Sequence, residues 1–179
     1  MTGPRAVVID ASVALAILLG EPEASLAHGA VAAWTSVGRR RVVPGLFWLE
    51  VVARLGREPE ATGTFILEAV HRLDSMGLET VDLDRPTLIQ TIDVMERTGL
   101  TEYDSAYLAL ADQIGATLAT FDVQLAAAAG DRLESMSGPS GTSEKPAVYE
   151  HDVTWPNYKE ASAYLAQLRA EAVAGRASG

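Results

Sequence analysis

Short apolar runs alternate along this chain with longer stretches of helical periodicity. Ala6 to Asp10 opens the pattern: four apolar residues without interruption, then an aspartate. A continuous run of that length is the pattern of a strand buried on both faces. Residues 12–19 then read as a helix closed by Gly20. Glu21-Pro22-Glu23 forms a helix opening, with proline and acids in the first turn, and that helix runs to about Ser36. Val42-Val43 is a second short strand, stopped by Pro44-Gly45. In 47–55, Phe47, Val51 and Leu55 share one helical stripe. Pro59 is expected to open the next helix, to about Met76, with Gly77 ending it. Residues 78–83 alternate like a strand. Helices follow over 86–97 and 101–114, closed by Gly99 and Gly115. A three-residue strand at 117–119 and a helix at 123–129 complete the series. Strands separated by helices predict an α/β fold with a parallel sheet covered on its faces.

Four acidic residues break this pattern: Asp10 at the end of the first strand, Glu50 within Leu46-Phe47-Trp48-Leu49-Glu50-Val51-Val52, Asp104 at the start of an apolar helix, and Asp122 after the last strand. A carboxylate among Leu, Val and Trp is costly to bury unless a cation or hydrogen bonds hold it. Parallel sheets gather functional residues beyond the carboxyl ends of their strands, and Asp10 and Asp122 both stand there. The four acids suggest one shared pocket, and a hard divalent cation, Mg²⁺ or Mn²⁺, suits such oxygen donors. Ser12 and Thr120 each place a hydroxyl two residues from an acid, where it can help to orient a cation's water.

Each acid also has a local reading. Asp10 or Ser12 can form an Asx-turn or helix cap, and Asp122 can cap the helix after it. Thr101-Glu102-Tyr103-Asp104 has the form of a capping box. Glu50 can pair with Arg54 four residues on.

Composition narrows the chemistry. The chain has 179 residues and no cysteine, so disulfides, cysteine-ligated zinc and thiol nucleophiles are excluded. Its net charge of −10 argues against a protein that coats nucleic acid. Arg39-Arg40-Arg41 is the only basic cluster, and it reads as a solvated face more readily than as an RNA grip. His28, His71 and His151 are isolated from one another. No phosphate-binding glycine loop or nucleophile elbow is present. Arg5 and the apolar residues up to Leu19 loosely imitate a signal peptide, but Asp10 splits the run. A cytoplasmic protein is expected.

Taken together, Val7-Val8-Ile9-Asp10-Ala11-Ser12, Glu50 in a helix after Pro44, Tyr103-Asp104-Ser105-Ala106-Tyr107-Leu108-Ala109-Leu110-Ala111 and Gly115-Ala116-Thr117-Leu118-Ala119-Thr120-Phe121-Asp122 resemble the PIN domain. Within it they look most like the small VapC-type toxins of bacterial toxin–antitoxin pairs. The resemblance covers about residues 5 to 133. It implies a three-layer α/β/α fold with a short parallel central sheet, and a Mg²⁺- or Mn²⁺-dependent endoribonuclease that hydrolyses RNA with metal-activated water. It implies that Asp10, Glu50, Asp104 and Asp122 hold the metal, with Ser12 and Thr120 assisting. It also implies a homodimer inhibited by a small VapB-like antitoxin. Other readings are RNA processing or DNA cleavage without an antitoxin, or a silent PIN-like scaffold. A haloacid-dehalogenase-type phosphatase needs a second aspartate where Ser12 stands.

Two features depart from the family pattern. Residues 131–135 make a poor closing strand. From about 136 to 179 the chain reads as a linker and a C-terminal extension, beyond a nuclease domain of 1–135. Pro156 to about Ala174 is expected to contain an amphipathic helix with Tyr158, Ala161, Tyr164, Leu165 and Leu168 on its stripe.

Overall fold

A computed structural model describes residues 6–136. The expected linker and C-terminal helix lie outside the described residues. The sheet is built from β1 (Ala6–Ile9), β2 (Arg40–Pro44), β3 (Leu78–Val81) and β4 (Thr117–Ala119). The strands are all parallel, in the order β3-β2-β1-β4. Every residue of β1 is buried, as its unbroken apolar run requires of a central strand. β3 is an edge, with Glu79 and Thr80 exposed.

Between β1 and β2 lie α1 (Ala11–Leu19) and α2 (Ala24–Ser36), and between β2 and β3 lie α3 (Leu46–Leu55) and α4 (Gly63–Asp74). The return from β3 to β4 carries α5 (Arg85–Thr98) and α6 (Glu102–Ile114), and α7 (Val123–Ala129) follows β4. Right-handed crossovers place the first four helices on one face and the returning pair on the other. The result is the expected three-layer α/β/α arrangement. The direction of winding reverses between β1 and β4, so the switch point of the sheet lies at their carboxyl ends, after Ile9 and Ala119.

The core follows the predicted stripes. Phe47, Val51 and Leu55 of α3 are fully buried, and α6 buries an unbroken run from Ser105 to Ala111. Left-handed glycines close α1, α5 and α6 at Gly20, Gly99 and Gly115, as expected. Several boundaries differ from expectation: α2 begins at Ala24 rather than at Glu21-Pro22-Glu23, β2 spans Arg40–Pro44 rather than Val42-Val43 alone, and β3 ends at Val81 rather than at residue 83. The helix expected from Pro59 begins at Gly63, because Thr62 is extended and caps the amide of Phe65, while the chain before it still turns through Ala61 N–H to Glu58 O. The poor closing strand is a 3-10 turn, Gly130–Arg132, followed by a single parallel bridge from Leu133 to Leu118. Among the described residues no helix is long and apolar enough to cross a membrane.

Candidate active site

The register of β1 against β4 pairs Ile9 with Ala119, which brings Asp10 beside Thr120 at the switch point. Asp10 is buried, and its Oδ2 takes both hydroxyls that bond it. It accepts from Ser12 Oγ at 2.5 Å, from Thr120 Oγ1 at 2.8 Å and from the Ser12 amide at 3.3 Å. The two hydroxyls also reach across the sheet edge. Ser12 Oγ accepts from the Phe121 amide at 2.9 Å, and Thr120 Oγ1 accepts from the Asp122 amide at 2.9 Å. The β1–α1 and β4–α7 corners are thus tied through the hydroxyls that the sequence singled out. Burial raises the Asp10 pKa, against the hydroxyl bonds that favour its charged form.

Glu50 faces the same region from α3. It is not enclosed as its apolar neighbours suggested: Leu49 and Val52 point to solvent, and Glu50 lies half-buried at the margin of the Phe47–Val51–Leu55 stripe. It does not pair with Arg54, which bonds Glu58 instead. Its partner is Tyr107 of α6, whose hydroxyl donates to Oε2 at 2.5 Å. Burial raises the Glu50 pKa; the Tyr107 bond opposes this, and the negative charges of Asp10 and Asp104 are near enough to add to the rise.

Asp104 sits in the first turn of α6. Its Oδ2 accepts from Thr101 Oγ1 at 2.7 Å, while its amide donates to the same hydroxyl at 3.2 Å. Thr101 therefore caps α6, with the Asp104 carboxylate accepting from its hydroxyl rather than from its amide, and Asp104 stays close enough to Glu50 for their charges to interact. Asp122 is more distant in its bonding. It is exposed, caps α7 through the Leu125 amide at 2.7 Å, and meets the group only through Thr120. Glu50 thus lies within reach of the repelling charges of both Asp10 and Asp104, while Asp122 stands beyond them across the Thr120 hydroxyl.

No arginine among the described residues pairs with Asp10, Glu50 or Asp104, and both lysines lie outside them. Nor do three acidic or histidine side chains among the described residues close into a shared ligand shell. The donor set is hard oxygen only and self-repelling. It fits a cation such as Mg²⁺, which keeps several waters and takes one or two carboxylates directly.

The basic cluster is bonded within the protein: Arg40 lies on the expected solvated face, whereas Arg39 and Arg41 are half-buried. Arg39 grips Glu134 through two nitrogens at 2.8 and 2.9 Å, and also bonds Thr117 Oγ1 at 2.5 Å and Ala6 O at 3.3 Å. Arg40 pairs with Glu79. Arg41 donates to Met76 O and Thr35 Oγ1. None of these contacts is at the carboxyl end of the sheet. Sequence reasoning also passed over Tyr107 and Thr101 as site residues. Tyr107 had a usable signal, since it lies three residues after Asp104 and therefore on the same helix face.

Comparison with known proteins agrees with this geometry. The PIN domain family model matches residues 7–131. No curated protein matches the chain significantly. Several solved structures share the fold. A Pyrobaculum aerophilum protein is 24% identical, with a TM-score of 0.51, covering 68% of this chain and 78% of its own. A chain of a toxin–antitoxin complex from Klebsiella pneumoniae is 15% identical, with a TM-score of 0.56 and coverages of 74% and 98%. A chain of VapBC2 from Rickettsia felis, bound to a promoter DNA fragment, is 11% identical, with a TM-score of 0.55 and coverages of 66% and 88%. With a parallel sheet of this order, three interacting acids at its switch point and a family match over most of its length, the chain belongs to the PIN domain family, a family of nucleases.

Proposed function

We propose that the protein is a Mg²⁺- or Mn²⁺-dependent endoribonuclease, the toxin of a VapBC-like pair that acts in the cytoplasm as a homodimer and is held inactive by a small antitoxin. The observation that carries the activity is Glu50 within reach of the charges of Asp10 and Asp104 near the switch point, with no arginine among the described residues paired to any of them. A half-buried carboxylate beside two other acids, as Glu50 is, favours a divalent cation that offsets the repulsion. The likeness in fold to chains from toxin–antitoxin complexes supports the biological role.

Asp10, Glu50 and Asp104 would hold the cation, with Asp122 at the outer edge of the site. When bound, the cation supplies charge neutralisation at the scissile phosphate and a more acidic attacking water. Ser12 and Thr120 are not nucleophiles in this arrangement. Each donates its proton to Asp10 and accepts a backbone amide, so their role is to fix Asp10. The missing thiol, and the absence of a serine–histidine pair among the described residues, agree with direct attack by water.

Incubation of the purified protein with a mixed RNA pool tests the reading. Cleavage should require Mg²⁺ or Mn²⁺, stop with EDTA and vanish in Asp104→Asn. Cleavage that persists in EDTA, or that is undiminished in Asp104→Asn, would contradict it, and the latter would leave Asp104 as a helix cap only. A parallel incubation with single-stranded DNA separates ribonuclease from deoxyribonuclease action.

A further inference from the structure

Glu50 differs from the other acids of the site in what holds it. Asp10 and Asp104 have short side chains fixed by hydroxyls close in sequence or paired in the sheet, namely Ser12, Thr120 and Thr101. Glu50 is longer and half-exposed, and it is repelled by both aspartates. A glutamate in that position gains freedom and loses repulsion by swinging into water. The contact that opposes this is the 2.5 Å bond from Tyr107, made across 57 residues of sequence.

Tyr107 is suited to that task. Its ring is fully buried, so the hydroxyl is delivered from a rigid base rather than from a mobile surface side chain. It stands on the same helix as Asp104, three residues on, and therefore fixes Glu50 relative to Asp104.

We propose that Tyr107 is a positioning residue of the nuclease centre, one that holds Glu50 in register with Asp10 and Asp104 for a divalent cation. This rests on the cation-dependent nuclease reading above. The hydroxyl bonds of the site share one design: each ends on a single oxygen of its carboxylate, Oδ2 of Asp10, Oε2 of Glu50 and Oδ2 of Asp104. The second oxygen of each takes none of these bonds. Neutral donors orient the acids without cancelling their charge, which a lysine or arginine would do.

The test is Mn²⁺ binding by calorimetry to the full chain, in wild type, Tyr107→Phe, Glu50→Gln and the double variant, with RNA cleavage measured across Mn²⁺ concentrations. Phe keeps the ring volume, and circular dichroism confirms the fold of each protein. Tyr107→Phe should bind Mn²⁺ about 10–100-fold more weakly, the usual effect of losing an outer hydrogen-bond partner of a metal ligand. The Mn²⁺ concentration for half-maximal cleavage should rise by the same factor, while kcat at saturating Mn²⁺ recovers. In the Glu50→Gln background the same substitution should change Mn²⁺ affinity by about twofold or less. Unchanged Mn²⁺ affinity in Tyr107→Phe, or an equal loss with and without Glu50, overturns the positioning role while leaving the nuclease reading intact. A wild-type protein that neither binds Mn²⁺ nor cleaves RNA overturns both.

Discussion

The two ends of the central sheet treat buried carboxylates in opposite ways. At the amino end, Glu134 is gripped by Arg39 through two nitrogens and also bonded by Trp34 and Thr117. Burial alone would raise its pKa, but these partners outweigh burial and lower it. At the carboxyl end, Asp10 and Glu50 have only hydroxyl and amide donors, sit beside other acids, and have raised pKa values. The strands that separate the two ends are only three to five residues long. One end is a clamp whose charges are neutralised within the protein; at the other, no arginine among the described residues neutralises the acids. An isolated cluster of acids would show only that the site is costly. The clamp shows that this chain places an arginine on a buried acid where stability is the purpose.

The largest expected effect is on activity at the carboxyl end. Asp10→Asn or Asp104→Asn should reduce metal-dependent RNA cleavage to background with the fold retained, as measured by gel assay and circular dichroism. The mirror experiment is Arg39→Ala. It removes the arginine from the partly buried Glu134, which keeps only its Trp34 and Thr117 bonds, and should cost about 1–3 kcal/mol in urea unfolding, while the cation dependence of cleavage by the folded fraction stays unchanged. If Arg39→Ala altered the cation dependence, the two ends would not be separate.

Ligand linkage comes next. Mg²⁺ at a hundredfold excess over its Kd should stabilise the wild type by about 2.7 kcal/mol, read as a rise in Tm, and should not shift Asp10→Asn. In EDTA the asparagine variant should be at least as stable as the wild type, because it removes one of several repelling charges.

The smallest effect is a difference in pH slope, measured in EDTA. Glu134 has a lowered pKa, so its contribution is present above its ordinary value of 4.5 and is lost as pH falls through its folded value. Asp10 and Glu50 have raised values. Their contribution is full below the ordinary 3.8 and 4.5 and is lost as pH rises through the folded values. Glu134→Gln should flatten the acid limb of the stability profile, and Glu50→Gln should flatten the decline on the rising side.

Much of this was legible in the sequence because it depends on local pattern. The apolar run before Asp10, the Phe47–Val51–Leu55 stripe and the closing glycines at 20, 99 and 115 are set by periodicity and φ preference. The four acids stood out because carboxylates are rare among Leu, Val and Trp. The cap reading of Asp104 does not exclude the site reading, since one oxygen takes the Thr101 hydroxyl and the charge still reaches Glu50. Long-range pairing was not legible. Nothing near Arg39 announces Glu134, 95 residues away, and nothing near Glu50 announces Tyr107. The true start of α4 at Gly63 was hidden because Pro59 gives a stronger opening signal than Thr62, yet the turns leaving α3 claim it.

The central claim is that the carboxyl end of the sheet, and not the clamp, takes a divalent cation. Mn²⁺ binding, followed by electron paramagnetic resonance in the wild type, Asp10→Asn and Glu134→Gln, tests it most directly. The account predicts that Mn²⁺ binds the wild type and Glu134→Gln alike and that Asp10→Asn loses that binding. Equal binding by the wild type and Asp10→Asn would contradict it.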